Sequence, residues 1–231
     1  MKIRNSFFTF LITLFLVQTS IAQDYYFKDK APFDAKIPTP EEFLGYKIGE
    51  HHTRHDLIVS YLTKLAEVSE RASIEIYGMT HEKRKLVMFT VTSPKNLQNL
   101  GAIKEQHLAF VNTAITAKNY DDVPVIINLG YNVHGNEPSS SEAALLTAYT
   151  LVASNSAEVL NYLEKSVIFI DPTINPDGRD RHTQWANQYQ AKNLVSDNID
   201  AEHTEAWPRG RTNHYWFDLN RDWLLAVHPE S

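Results

Sequence analysis

The sequence contains no cysteine. No disulfide can staple it, and no cysteine follows its leader to carry a lipid anchor, so its stability must come from a packed core. It also lacks a Lys/Arg cluster, and its net charge is −6. A nucleic-acid partner is therefore disfavoured. Low-complexity tracts and internal repeats are missing too. One apolar run stands out, Phe7 to Val17, and it is too short to span a bilayer comfortably.

That run follows Lys2 and Arg4, and Ser20 and Ala22 sit at the −3 and −1 positions of a cut before Gln23. This is a secretory leader pattern. Residues 1–22 are expected to be a signal peptide and the protein to be secreted or periplasmic, with no stable membrane insertion after cleavage. Removal takes two cations and no acids, which moves the net charge from −6 to −8. Residues 23–50 are polar and proline-bearing and predict an extended lead-in. Residues 51–231 are enough for one domain.

Asp56 to Glu70 places Leu57, Ile58, Tyr61, Leu62, Leu65 and Ala66 on one helical face. Ser73–Tyr77 and Lys85–Thr92 read as an antiparallel hairpin around a charged turn. Asn96 to Thr116 is ambiguous and partly helical. Val123–Leu129 is a continuous apolar run, which predicts a strand buried on both faces. Helices over Ser140–Ala153 and Ala157–Leu163 precede a second buried strand, Val167–Asp171. Strand, helix, strand implies a parallel crossover in an α/β fold with a mixed sheet.

In such sheets ligands bind past the carboxyl ends of the parallel strands. Two loops lie there, His134–Glu137 and Pro172–Asp180. His134 and Glu137 stand three apart on a turn with Gly135. An imidazole and a carboxylate are both good zinc ligands. With ten histidines in the chain, the spacing alone is weak. Ser139 and Glu142 form a capping-box pattern, which predicts a purely local role for Glu142. Asn175 and Asp177 are expected to satisfy backbone groups in a tight turn, with Gly178 supplying a permissive torsion. Arg179 to Leu219 shows no period. With all four tryptophans in or beside it, it reads as an ordered loop walling a cleft. Asn220 and Arg221 are adjacent, and an arginine fork can grip a carboxylate.

"HGNE" after one buried strand, "NPDG" after the next and then "LNRDW" together resemble the zinc carboxypeptidase family, from Phe43 to the end of the chain. The resemblance implies an α/β/α sandwich around a mixed, mostly parallel sheet. It implies one zinc ion on His134 and Glu137. Asn220 and Arg221 would bind the free carboxylate of a peptide or protein C-terminus. Arg211, or else Arg209, would stabilise the oxyanion. The third zinc ligand and the general base are expected beyond Ser231, so the fold would be incomplete at its C-terminus and this chain alone inactive. Two other readings stand beside it: an inactive peptide- or cell-wall-binding module on the same fold, and a different hydrolase whose metal site is completed by His203, His214 or His228. Substrate side-chain preference and oligomeric state are not legible.

Overall fold

The structure, a computed structural model, describes residues 25–112, 120, 122–193 and 195–231. The expected signal peptide lies outside the described residues, as does the end of the ambiguous stretch, 113–116. Helices α1 (Pro40–Leu44) and α2 (His55–Val68) come first, followed by strands β1 (Ala72–Met79) and β2 (Lys85–Val91). Helices α3 (Pro94–Gln98) and α4 (Leu100–Val111) lead to β3 (Val125–Gly130). Helices α5 (Ser140–Ala153) and α6 (Ala157–Lys165) connect it to β4 (Ser166–Asp171), and α7 (Pro176–Tyr189) follows. Two short 3-10 turns, Ala201–His203 and Leu219–Arg221, punctuate the remainder.

The sheet runs β1-β2-β4-β3. The hairpin forms as expected, β1 pairing antiparallel with β2. Strand β2 pairs antiparallel with β4, and β4 pairs parallel with β3. The sheet is thus mixed. Its parallel pairing among the described strands is the predicted crossover. Helix α2 buries Ile58, Tyr61, Leu62 and Leu65 completely. They meet Ala144, Leu145, Ala148 and Val152 of α5 over Phe89, Val91, Ile168 and Ile170 of the sheet. Each Leu, Ile, Val or Phe among them contributes about 1.5–3 kcal/mol when fully buried.

Three expectations need correction. Strand β3 is not buried on both faces: it is the sheet edge, and Val125, Ile126 and Ile127 are 60%, 42% and 38% exposed. An apolar run is buried twice over only where neighbours cover both faces, and no strand among the described residues lies beyond β3. The lead-in is not simply extended. Thr39 and Glu42 form a reciprocal capping box that opens α1, with Pro40 in its first turn. Phe27 and Phe33 pack on Tyr149 of α5, with ring centres 5.1 and 5.4 Å away. Finally, Arg179–Tyr189 is helical, not loop. Helix α7 starts on Asn175, whose side chain accepts from Gly178 N, with Pro176 at its start. Its buried residues include Asp177, Arg179, His182 and Thr183, so apolar periodicity has nothing to detect.

Candidate metal centre

The two loops meet at the carboxyl ends of β3 and β4. Asn132, one residue beyond Tyr131, takes a left-handed backbone with φ 58°, a conformation asparagine tolerates better than most residues. Its side-chain amide donates to the carbonyls of His134 (3.0 Å) and Glu137 (3.1 Å), and its backbone N–H donates to Ser140 Oγ (2.7 Å). With Glu137 N donating to His134 O at 3.0 Å, the turn is held from inside. His134 is 7% exposed.

His134 Nδ1 lies 2.9 Å from Glu137 Oε1, and His134 Nε2 lies 2.9 Å from Asp218 Oδ1. Asp218 Oδ1 also accepts from Asn220 N, and Oδ2 accepts from Arg211 Nη2 at 2.9 Å. Burial alone would raise the Asp218 carboxyl. The bonds from Arg211 and His134 outweigh it and hold the group below the usual carboxylate range. Arg221 Nη2 stands 4.0 Å from Asp218 Oδ2. Asn220 Oδ1 accepts from Trp223 Nε1 at 2.8 Å. The structure therefore brings His134, Glu137, Arg211, Asn220 and Arg221 into one neighbourhood around Asp218. Arg209 makes no contact with Asp218 among the described residues: its carbonyl accepts from Arg181 Nε, and the residue lines a cavity with Trp185, Trp207 and Pro208.

Helix α7 is the scaffold of this neighbourhood. A Cβ on Gly135 would come within 2.0 Å of Gly178 C and 2.1 Å of Arg179 N. One on Gly178 would come within 2.3 Å of Gly210 O. These glycines permit close backbone approach, so the torsion expected of Gly178 is not its role. Asn175 Nδ2 donates to Arg211 O at 3.1 Å, and Arg181 donates to the Asn213 carbonyl at 3.1 Å. Asp177 accepts from Thr80 Oγ1 and Arg84 Nη1, reaching the β1–β2 turn and not its own. The capping box expected of Ser139 and Glu142 does not form. Glu142 is buried and accepts from Arg179 Nη2 (2.6 Å), Thr53 N (2.7 Å) and Thr53 Oγ1 (2.8 Å). Arg179, fully buried, also donates to Pro138 O at 3.1 Å, directly behind the His134–Glu137 turn.

Comparison with known proteins follows the same lines. Residues 58–229 match the family described as zinc carboxypeptidase. The chain belongs to the zinc carboxypeptidase family. A putative carboxypeptidase A from Shewanella denitrificans is similar in structure, with a TM-score of 0.51 and 16% identity over 79% of this chain and 35% of that one. Carboxypeptidase A from Helicoverpa armigera has a TM-score of 0.45 and 17% identity, over 77% and 37%. The chain spans little more than a third of the length of these structures. None of the curated proteins compared with it matches.

The residues fit the family's metal. Both ring nitrogens of His134 face a carboxylate at 2.9 Å; with its proton on Nε2, toward Asp218, the ring would present its Nδ1 lone pair to Glu137 Oε1. Two acceptors 2.9 Å apart repel unless a proton or a cation joins them. Ligand atoms on a tetrahedral zinc lie roughly 3.3 Å from each other, given metal–ligand distances near 2.0–2.2 Å. His134 and Glu137 would hold the ion through these two atoms. Asp218 is the residue the sequence reading missed. A carboxylate behind a ligating histidine fixes its tautomer, and its signal was its place two before Asn220. Asn132, Glu142 and Arg179 were missed as supports because each works through one directional bond or pair, which leaves no periodic trace. Of the alternative ligands, His203 contacts Val195 O, His214 contacts Glu82, and His228 contacts Asn213.

Proposed function

We propose that this chain carries the zinc-binding and carboxylate-gripping part of an exported, zinc-dependent carboxypeptidase that acts on free peptide C-termini, with the third ligand and the general base outside it. The observation that carries the reading is the 2.9 Å juxtaposition of His134 Nδ1 and Glu137 Oε1, with Nε2 held by Asp218. His134 and Glu137 would hold the ion, and Asp218 would keep the imidazole in the ligating tautomer. Bound zinc supplies Lewis-acid polarisation of a carbonyl and a water of lowered pKa. Arg211, now paired with Asp218 Oδ2 at 2.9 Å, would neutralise charge developing on the scissile carbonyl oxygen. Arg221 is exposed, its Nη1 donating to the carbonyl of neighbouring Asn220 at 3.0 Å, and would turn its fork onto a substrate carboxylate with Asn220 beside it. Export rests on the leader pattern of residues 1–22. Among the described residues, no helix is long and apolar enough to cross a membrane.

The test is metal content and end-group dependence. His134→Ala should remove one equivalent of zinc per chain by elemental mass spectrometry. In a protein extended to the relatives' full length, Arg221→Ala should cost about 2–5 kcal/mol in kcat/KM, the usual loss for truncating one partner of a hydrogen-bonded charge pair. The parent protein should act poorly on amidated peptides. Zinc content unchanged by His134→Ala would refute the ligand assignment, and equal rates on free and amidated ends would refute the carboxylate grip. Peptide binding without turnover in that extended protein, with zinc bound, would favour the inactive binding module.

A further inference from the structure

A second cluster of metal-ligating groups borders the 213–218 segment, through Asn213 and Tyr215. His81, in the β1–β2 turn, meets His228 and Glu230, and one ligand atom from each lies within 4.8 Å of the other two. Glu230 is 4% exposed, and neither carboxylate oxygen has a hydrogen-bond partner. His81 Nε2 is likewise buried and unpartnered. A carboxylate taken out of water without a partner is costly, and here two imidazoles stand beside it. Ring centres of His81 and His228 are 5.9 Å apart at 87°, so the rings converge edge to face and do not stack.

We infer that His81, His228 and Glu230 form a second cation site, for a borderline divalent ion such as zinc. Two imidazoles and one carboxylate with a position left for water make a zinc-type donor set, whereas calcium and magnesium take oxygen. The site is distinct from the one on His134 and does not rest on it. The backbone on both sides of it is fixed before any ion arrives. On one side of His81, Thr80 is tied through Oγ1 to Asp177 (2.7 Å). On the other, Glu82 N donates to the same carboxylate at 3.3 Å. On the opposite wall, Asp222 Oδ2 accepts from the N–H groups of Val227 and His228, both at 2.9 Å. Phe217 stacks on the His228 ring with centres 4.3 Å apart. An ion here would clamp the β1–β2 turn to the segment that carries Asp218, Asn220 and Arg221.

Asn213 tunes this site. Its Oδ1 accepts from the backbone N–H groups of Tyr215 (3.0 Å) and Phe217 (3.1 Å), which fixes the amide. Its Nδ2 therefore donates to His228 Nδ1 at 3.1 Å. A His228 that ligates through Nε2 must carry its proton on Nδ1, where it opposes that donor. Asn213→Asp replaces the donor with an acceptor and keeps the oxygen that the two backbone groups need. Outer partners of this kind are worth 10–100-fold in metal affinity.

The experiment titrates zinc chloride calorimetrically into the protein carrying His134→Ala and Glu137→Gln, which removes the other ligands. One equivalent per chain should still bind. Adding Glu230→Gln or His81→Ala should weaken that binding at least tenfold, and Asn213→Asp should strengthen it about tenfold. His81 sits on a half-buried turn, so its replacement leaves the core intact, and circular dichroism checks each variant. No zinc bound in the double variant would overturn the inference. So would unchanged affinity in both Glu230→Gln and His81→Ala. Unchanged or weaker binding in Asn213→Asp would remove His228 as an Nε2 ligand, and the three-residue site with it.

Discussion

Helices α2 and α7 touch each other, yet they are held in place by opposite means. Helix α2 buries Ile58, Tyr61, Leu62 and Leu65 against α5 and the sheet. Helix α7 buries Asp177, Gly178, Arg179, His182 and Thr183. Apolar burial is non-directional: it gathers elements together and tolerates small shifts. Buried polar pairs and glycine–backbone contacts are directional, and they fix an element to a fraction of an ångström. The site's loops lean on the second kind. Pro138, Gly135, Arg211 and Asn213 all take their positions from α7.

The largest expected effect breaks the polar side. Glu142→Ala leaves the Arg179 guanidinium buried without its carboxylate. Removing one partner of a buried pair costs about 3–5 kcal/mol, readable as a lower urea midpoint at unchanged slope. Replacing both at once, Glu142→Leu with Arg179→Met, should recover most of that loss, because the desolvation penalty disappears with the pair. The double variant should still hold zinc poorly, since Arg179 no longer braces Pro138. A single variant as stable as the parent would mean that α7 is held by something other than this pair.

The apolar side should fail differently. Leu62→Ala opens a cavity between α2 and α5 and should cost about 2.7–5 kcal/mol. It touches none of the groups around His134. At a temperature where the variant remains folded, its zinc affinity should equal the parent's. Loss of zinc in the folded variant would show that the two sides are not independent, and the contrast drawn between them would fall.

The same contrast explains what the sequence disclosed. Elements fixed by apolar periodicity were legible: α2, the β1–β2 hairpin, β4 and the crossover that makes β3 and β4 parallel. Beside the short α1, the hidden helix was α7, because a helix that buries Arg179 and His182 has no apolar face to count. Strand β3 misled in the other direction. Its composition fits a central strand, but exposure depends on neighbours, which composition does not report. At the site, His134 and Glu137 were legible as a pair on a glycine turn. Asp218 was not, since its part depends on a contact across 84 positions of sequence. Glu142 looked like a cap because three-residue spacing from a serine is the same whether the carboxylate folds back or points inward.

Asp171 gives the smallest and sharpest test, because it lies where the apolar and polar regions join, at the end of β4. Tyr77 OH donates to its Oδ2 at 2.7 Å and Thr173 N to its Oδ1 at 3.1 Å. Burial nonetheless dominates and pushes the carboxyl up to about 6, from an ordinary 3.8. The folded state therefore holds the proton more tightly than the unfolded chain does. Stability contributed by the protonated form is complete below the unfolded pKa and is lost as pH rises through about 6. The shift corresponds to at most about 3 kcal/mol. Asp171→Asn keeps both contacts, its oxygen accepting from Thr173 and its amide donating to Tyr77, while it removes the titration. Its melting temperature should match the parent's near pH 4 and exceed it at pH 7. A parent–variant difference that stays flat between those pH values would mean that Asp171 is ionised at no cost, and that β4 ends in a site better solvated than its burial implies.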